Sequence, residues 1–312
     1  MIMKKARLLL LALCAALVFL SACSRAGDPA ALPDAKKLSV VASFYPMFDF
    51  ATKIGGDKVS VTTLVPAGTE PHDWEPAAAD IITLEKAAVF IYNGAGMEHW
   101  VGDVLESLEN KNLITVEAAK GIELLEGHGH EDSDGGEEGS YDPHVWLNPM
   151  YTKAEMAAIK NAFIEADPAN KDYYEANYTK VAGELDALDR EFKEALSPLL
   201  NKDIVVAHEA FGYLCSAYGL TQVAIEGLSA DAEPDPARLA EIIDFAQAHN
   251  VKVIFFEELV SPEVAETVAE AVGAEVDVLN PLEGLSDEQL QAGDDYFIVM
   301  RRNLKSLVSA LS

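Results

Sequence analysis

Three histidines stand in short settings rich in turn and aromatic residues, and imidazole is the commonest side-chain ligand for a metal ion. His72 lies in Glu70-Pro71-His72-Asp73-Trp74-Glu75-Pro76, His144 in Asp142-Pro143-His144-Val145-Trp146, and His208 in Ala207-His208-Glu209-Ala210-Phe211-Gly212-Tyr213. The chain has 7 histidines in 312 residues, so three in such settings is a large share. Taken singly, each would be read as a hydrogen-bonded structural residue. Taken together they point to one shared ion.

The elements that must carry them alternate between two periodicities. Apolar or β-rich runs occur at 38–43, 59–64, 88–92 and 113–116, and again at 203–207, 222–225, 251–256 and 275–279. Stretches of helical period lie between most of them, for example 236–248 and 262–272. Such alternation predicts an α/β protein with parallel sheets. Four strands on each side of the midpoint predict two lobes, each with a roughly four-stranded parallel sheet flanked by helices. At the centre, Tyr174, Tyr178, Val181, Leu185, Leu188, Phe192 and Leu196 recur every three or four residues, an apolar stripe on one helix face. Pro168 precedes it and Pro198 follows, so residues 172–198 are expected to be one long, rigid helix joining an N-terminal lobe (38–171) to a C-terminal lobe (199–312).

On that map all three histidines follow strands. His72 comes eight residues after the second run, His144 follows the fourth, and His208 directly follows the fifth. In open α/β sheets ligands bind outside the carboxyl ends of the strands, so two lobes facing each other would bring the three together. Glu283, in Asn280-Pro281-Leu282-Glu283, lies just past the last strand and is the preferred fourth donor, with Asp277, Glu257 and Glu258 as rivals. Three imidazoles and one carboxylate suit a closed tetrahedral Zn²⁺ site; Mn²⁺ favours more oxygen donors. His208-Glu209 begins like the His-Glu-x-x-His zinc-hydrolase motif, but position 212 is glycine, so that motif fails and no catalytic residues are assigned. His99 and His249 are read as structural.

Residues 1–22 read as a signal peptide: Lys4, Lys5 and Arg7, then an apolar run from Leu8 to Leu20 that is shorter than the about 20 residues of an ordinary span. It ends in Leu20-Ser21-Ala22-Cys23, which resembles a lipobox with Cys23 as the lipidated residue. Residues 23–37 read as a flexible tether. The formal net charge is −29, and losing the basic leader makes it more negative, which argues against nucleic acid and anionic lipid as partners. Cys14 leaves with the leader and Cys23 carries lipid, so Cys215 stands alone and no internal disulfide or thiolate zinc cluster forms. The segment 127–140 is acidic, glycine-rich and without apolar side chains; it is expected to be a mobile loop, with His128 and His130 as an auxiliary metal-gathering pair.

The quoted motifs, with Ser43-Phe44-Tyr45-Pro46-Met47 and Asn280-Pro281-Leu282-Glu283, resemble the solute-binding lipoproteins of metal-specific ABC importers, the zinc-, manganese- and iron-binding cluster. The resemblance covers nearly everything from Leu38 onward. It implies two α/β lobes on one rigid helix, an interlobe metal held by His72, His144, His208 and Glu283, and transport rather than catalysis. It also implies an ABC permease with its ATPase as partner, a monomer, and a lipid-anchored place on the outer face of the bacterial membrane. Zinc members resemble this chain in having histidine at position 208, where manganese members commonly have glutamate. The alternatives are the same fold carrying manganese or iron, or a surface adhesin.

Overall fold

The central strands explain the architecture. The computed structural model describes residues 37–127, 141–228 and 236–312. In β1 (Leu38–Ala42), Val40 and Ala42 are buried in one core while Val41 is buried in another. In β3 (Val89–Tyr92), Val89 and Ile91 take the first core and Phe90 the second. A strand buried on both faces belongs in the middle of a parallel sheet. With β2 (Val59–Thr63) and β4 (Ile114–Glu117) they make an all-parallel sheet in the order β2-β1-β3-β4.

The second lobe repeats the plan. Its strands are β5 (Asp203–Val206), β6 (Thr221–Ala224), β7 (Val253–Phe256) and β8 (Glu275–Val278), all parallel, in the order β6-β5-β7-β8. Val205 and Ile254 face an outer core under two helices, while Val206 and Phe255 face the inner one. The edge strands β6 and β8 keep Thr221, Gln222, Glu275 and Asp277 at least partly exposed. The chain therefore holds two copies of one topology, although no sequence repeat relates its halves.

The joining helix runs from Lys171 to Leu196, about 39 Å at the usual rise per residue. The residues around Pro168 form a separate 3₁₀ turn, Pro168–Asn170, and the helix stops two residues ahead of Pro198, which has no backbone N–H to continue the hydrogen-bond ladder. Tyr174, Val181, Leu185, Leu188, Phe192 and Leu196 are buried; Tyr178 is only half-buried, with Lys160 lying over its ring. The stripe is part of a core that also holds residues of both sheets, which stiffens the connection between lobes. The C-terminal helix Tyr296–Leu311 returns to the first lobe. Tyr296 meets Phe50 edge to face at 5.3 Å, and Lys53 is clamped between Asp49 at 2.9 Å and Asp295 at 2.8 Å.

All eight strands lie where the runs of the sequence place them, within a residue or two. The seventh is the largest difference. Val251 donates its backbone N–H to Ala246 O and so closes the helix Pro236–Ala248, and the strand starts only at Val253. Among the described residues, Cys215 is a free, buried thiol, and no helix is long and apolar enough to cross a membrane.

Candidate metal centre

His72 lies on the loop after β2, His144 after β4, His208 two residues past β5 and Glu283 on the loop after β8. Every one is at a carboxyl end, and the structure brings one donor atom of each to within 4.8 Å of the others. His144 Nε2 lies 2.7 Å from Glu283 Oε1 and 3.2 Å from His72 Nε2. His72 Nε2 lies 3.3 Å, and His208 Nδ1 3.8 Å, from the same Glu283 oxygen. One ion with ligand distances near 2.0–2.2 Å would separate tetrahedral donors by roughly 3.3–3.6 Å, so these spacings suit a single centre. The rings pack with centroids 5.0 to 5.4 Å apart. His144 and Glu283 are wholly buried, His208 nearly so, and the His72 side chain keeps 12% of its surface.

The surroundings fix which atoms face inward. Asp142 Oδ1 accepts both the backbone N–H of His144 at 2.9 Å and its Nδ1–H at 2.7 Å. With its proton on Nδ1, neutral His144 turns the Nε2 lone pair toward Glu283. Two lone pairs at 2.7 Å repel unless a proton or a metal ion joins them. Electrostatics say the same. Burial alone would raise the Glu283 carboxyl, but His208, His72 and His144 outweigh it and hold it well below the usual carboxylate range. Burial alone would lower His144, but Asp142 and Glu283 outweigh that and raise it. His208 is likewise raised against burial, by Glu283 and Glu257, to about 10.

Each lobe grips the residues of the other. Leu282 takes a left-handed backbone (φ 61°), unusual outside glycine, and this turn aims Glu283 inward. Its N–H donates to Asn280 Oδ1 at 2.7 Å, and Asn280 is held by two hydrogen bonds with Asn303. Trp146, beside His144, donates its Nε1–H to Pro281 O at 2.8 Å, locking the two loops together. Tyr213 donates its hydroxyl to Asp142 O at 2.8 Å, so the motif that begins with His208 ends by holding the His144 loop. Ser43 donates to the half-buried Glu98, which also accepts the N–H groups of Asn93 and Gly94; Asn93 Nδ2 in turn donates to Pro143 O. The backbone N–H of His72 is held by both Glu70 oxygens.

Gly212 explains itself here. A Cβ at this position would lie 2.5 Å from Asp142 Oδ2. Gly212→Ala is expected to push Asp142 off His144 and weaken metal binding roughly 10-fold, with the far-UV circular dichroism unchanged. Chelator competition measures the first and thermal melts check the second.

The rivals for the fourth position are placed elsewhere. Asp277 accepts the N–H of Val278, and Glu258 accepts from Asn280 and Gln289. Glu257 is buried beside His208 but is not one of the four. His99 is exposed, 3.7 Å from Glu75, and His249 pairs with Asp203 at 2.6 Å while stacking on Phe245. Cys23, His128 and His130 lie outside the described residues. Reading the sequence missed Asp142, whose signal was its place two residues before His144, and the Leu228 carbonyl, 2.8 Å from His208 Nε2, which had none.

The family model described as ZnuA, zinc-uptake complex component A, periplasmic, matches residues 40–310. The chain belongs to the ZnuA family. It is 42% identical over 280 residues to the high-affinity zinc uptake system protein ZnuA of Bacillus subtilis (strain 168), covering 88% of each chain. It is 41% identical over 310 residues to the zinc-binding lipoprotein AdcA of Streptococcus pneumoniae serotype 4, covering 98% of this chain and 60% of that protein. The chain thus spans little more than half the length of AdcA. The crystal structure of the Zn(II)-bound ZnuA-like domain of Streptococcus pneumoniae AdcA is similar at a TM-score of 0.76 and 39% identity, over 88% of this chain and 99% of that one. The ZnuA-family fold is the pair of α/β lobes on a long helix described above.

Proposed function

We propose that the chain captures Zn²⁺ outside the cytoplasm, between its lobes, and delivers it to an ABC permease and its ATPase. His72, His144, His208 and Glu283 hold the ion. The observation that carries this reading is the convergence of four donor atoms, two from each lobe, in a place where three are almost fully buried. Membership of a family described as a zinc-uptake component supports it, as do relatives named for zinc uptake and zinc binding.

The donor set favours zinc over manganese, because three imidazoles and a single carboxylate make a small, nitrogen-rich, four-donor site. Such a closed site suits holding and release of cargo, where catalysis would require an open position for water. Cys23 is the lipid attachment point in this reading, 23–37 the tether, and the protein works as a monomer on the outer face of the membrane.

Elemental analysis of metal retained by the purified protein, followed by competition of Zn²⁺ and Mn²⁺ for the metal-free form, tests the proposal. One zinc per chain, not displaced by excess Mn²⁺, is expected. Preferential retention of manganese would overturn the assignment of cargo.

A further inference from the structure

One buried carboxylate at the metal centre has no part in the four-donor set. Glu257 is 4% exposed and directly follows β7. The β5–β7 register pairs Val206 with Phe255; carried two residues further, it sets His208 beside Glu257. Glu257 Oε1 lies 3.0 Å from His208 Nδ1, while the other ring nitrogen, Nε2, lies 2.8 Å from the Leu228 carbonyl oxygen. A metal-bound imidazole gives one nitrogen's lone pair to the ion and keeps a single N–H. In the loaded site it can satisfy only one of these two acceptors.

Here the ring is aligned with Leu228, and both His208 Nδ1 and Glu257 Oε1 are left without a hydrogen-bond partner. His144 shows the other arrangement. Its Nδ1 sits on the Asp142 carboxylate at 2.7 Å, and its Nε2 is turned to the shared centre. Hydrogen bonds to an ionised acceptor are roughly twice as strong as those to a neutral one, so a carboxylate outcompetes a carbonyl for the single imidazole proton once the ring is free to choose.

Resting on the zinc-capture reading, we propose that Glu257 is the positioning residue of His208. When the ion arrives the ring turns: Nδ1, here 3.8 Å from Glu283 and 3.0 Å from Glu257, donates its N–H to Glu257 alone, while Nε2 leaves the Leu228 carbonyl, releases its proton to solvent and gives the freed lone pair to the metal. Leu228 is then a placeholder whose contact the ion replaces. The two lobes hold their buried histidines by one device, Asp142 behind His144 and Glu257 behind His208. Metal-bound histidines almost always donate their second N–H to such a partner. Glu257 acts through His208 and is not itself a donor, in keeping with its absence from the group of four.

The test uses the full protein with Glu257→Gln, Glu257→Asp and His208→Ala, each titrated with Zn²⁺ against a chromophoric chelator. Glu257→Gln is expected to bind 10–100-fold more weakly, on the scale of other outer-shell partners. It should still take one zinc per chain, and Glu257→Asp should recover most of the loss. Long-range ¹H–¹⁵N spectra of the zinc-loaded wild type need no variant at all. They should show His208 protonated on Nδ1 and metallated on Nε2. The proposal is overturned if Glu257→Gln binds within threefold of wild type while His208→Ala loses more, or if loaded His208 keeps its proton on Nε2. If His208→Ala binds zinc as tightly as wild type, the four-donor reading fails and takes this inference with it.

Discussion

Replacing His208 with alanine is expected to weaken zinc binding by more than a hundredfold and to leave a folded protein. Structural zinc sites bind with roughly 10–16 kcal/mol over four donors, so one donor accounts for on the order of 3 kcal/mol. At 1.4 kcal/mol per tenfold, that is a factor of about 100 or more in Kd. The loss falls on binding because the other donors keep their supports. His144 stays on Asp142, and Glu283 stays on the turn set by Leu282 and Asn280. His208→Ala also strips Glu257 of its nearest partner, so a modest fall in stability, on the order of 1–3 kcal/mol, accompanies the loss of metal. Chelator competition and urea unfolding of the metal-free variant separate the two effects. His208→Glu provides the complementary measurement. It exchanges a nitrogen for an oxygen donor and should narrow the preference for Zn²⁺ over Mn²⁺. An alanine variant that retained wild-type affinity would remove His208 from the site.

The strands were legible because the middle strand of a parallel sheet must be apolar on both faces, and Val40, Val41 and Ala42 make that visible as a run. Helix Lys171–Leu196 was legible because its stripe has one period from end to end. The histidines could be grouped because each stands just past a strand. The fourth donor was harder to place. Four acidic residues near the last two strands were candidates, and the choice among them rests on how the chain turns after β8. That turn is set by a left-handed Leu282 and by Asn303, a residue on the last helix with no local link to Glu283. No periodicity encodes such a contact. The pairing of His208 with Glu257 was out of reach for a related reason: it requires β5 to lie next to β7, and strand order comes from how crossovers pack. Asp142 lay closer to hand, since an acidic side chain two residues before a ligand can reach both its backbone N–H and its ring.

Zinc affinity is expected to fall as the solution is acidified, by about tenfold or more per pH unit below neutrality. In the metal-free protein, burial disfavours the charged form of His144, but Asp142 and Glu283 overcome this and raise it above the ordinary imidazole value. His208 is raised to about 10 against the same burial, by Glu283 and Glu257. His208 therefore carries a second proton at neutral pH, and His144 holds one more readily than a free imidazole; any such proton must leave before a lone pair reaches the metal. At least one proton displaced per ion gives a slope of about one or more in log Kd against pH. Glu283 adds nothing to that slope, because its carboxyl is held well below the usual range and stays ionised. Stability of the metal-free form follows from the same shifts with the opposite sense. The raised histidines contribute stabilisation that is complete below their ordinary pKa of about 6.5 and is lost as pH rises through the raised values. The lowered Glu283 contributes stabilisation present above about 4.3 and lost as pH falls through its depressed value. Metal-free protein should thus melt highest in mildly acidic solution, where bound protons bridge the cluster, and the gain in Tm on adding zinc should grow toward alkaline pH. Zinc titrations in matched buffers from pH 5.5 to 7.5, beside melts with and without metal, measure both. A slope below one would mean that the ion meets neutral imidazoles, and that protons do not hold the empty cluster together.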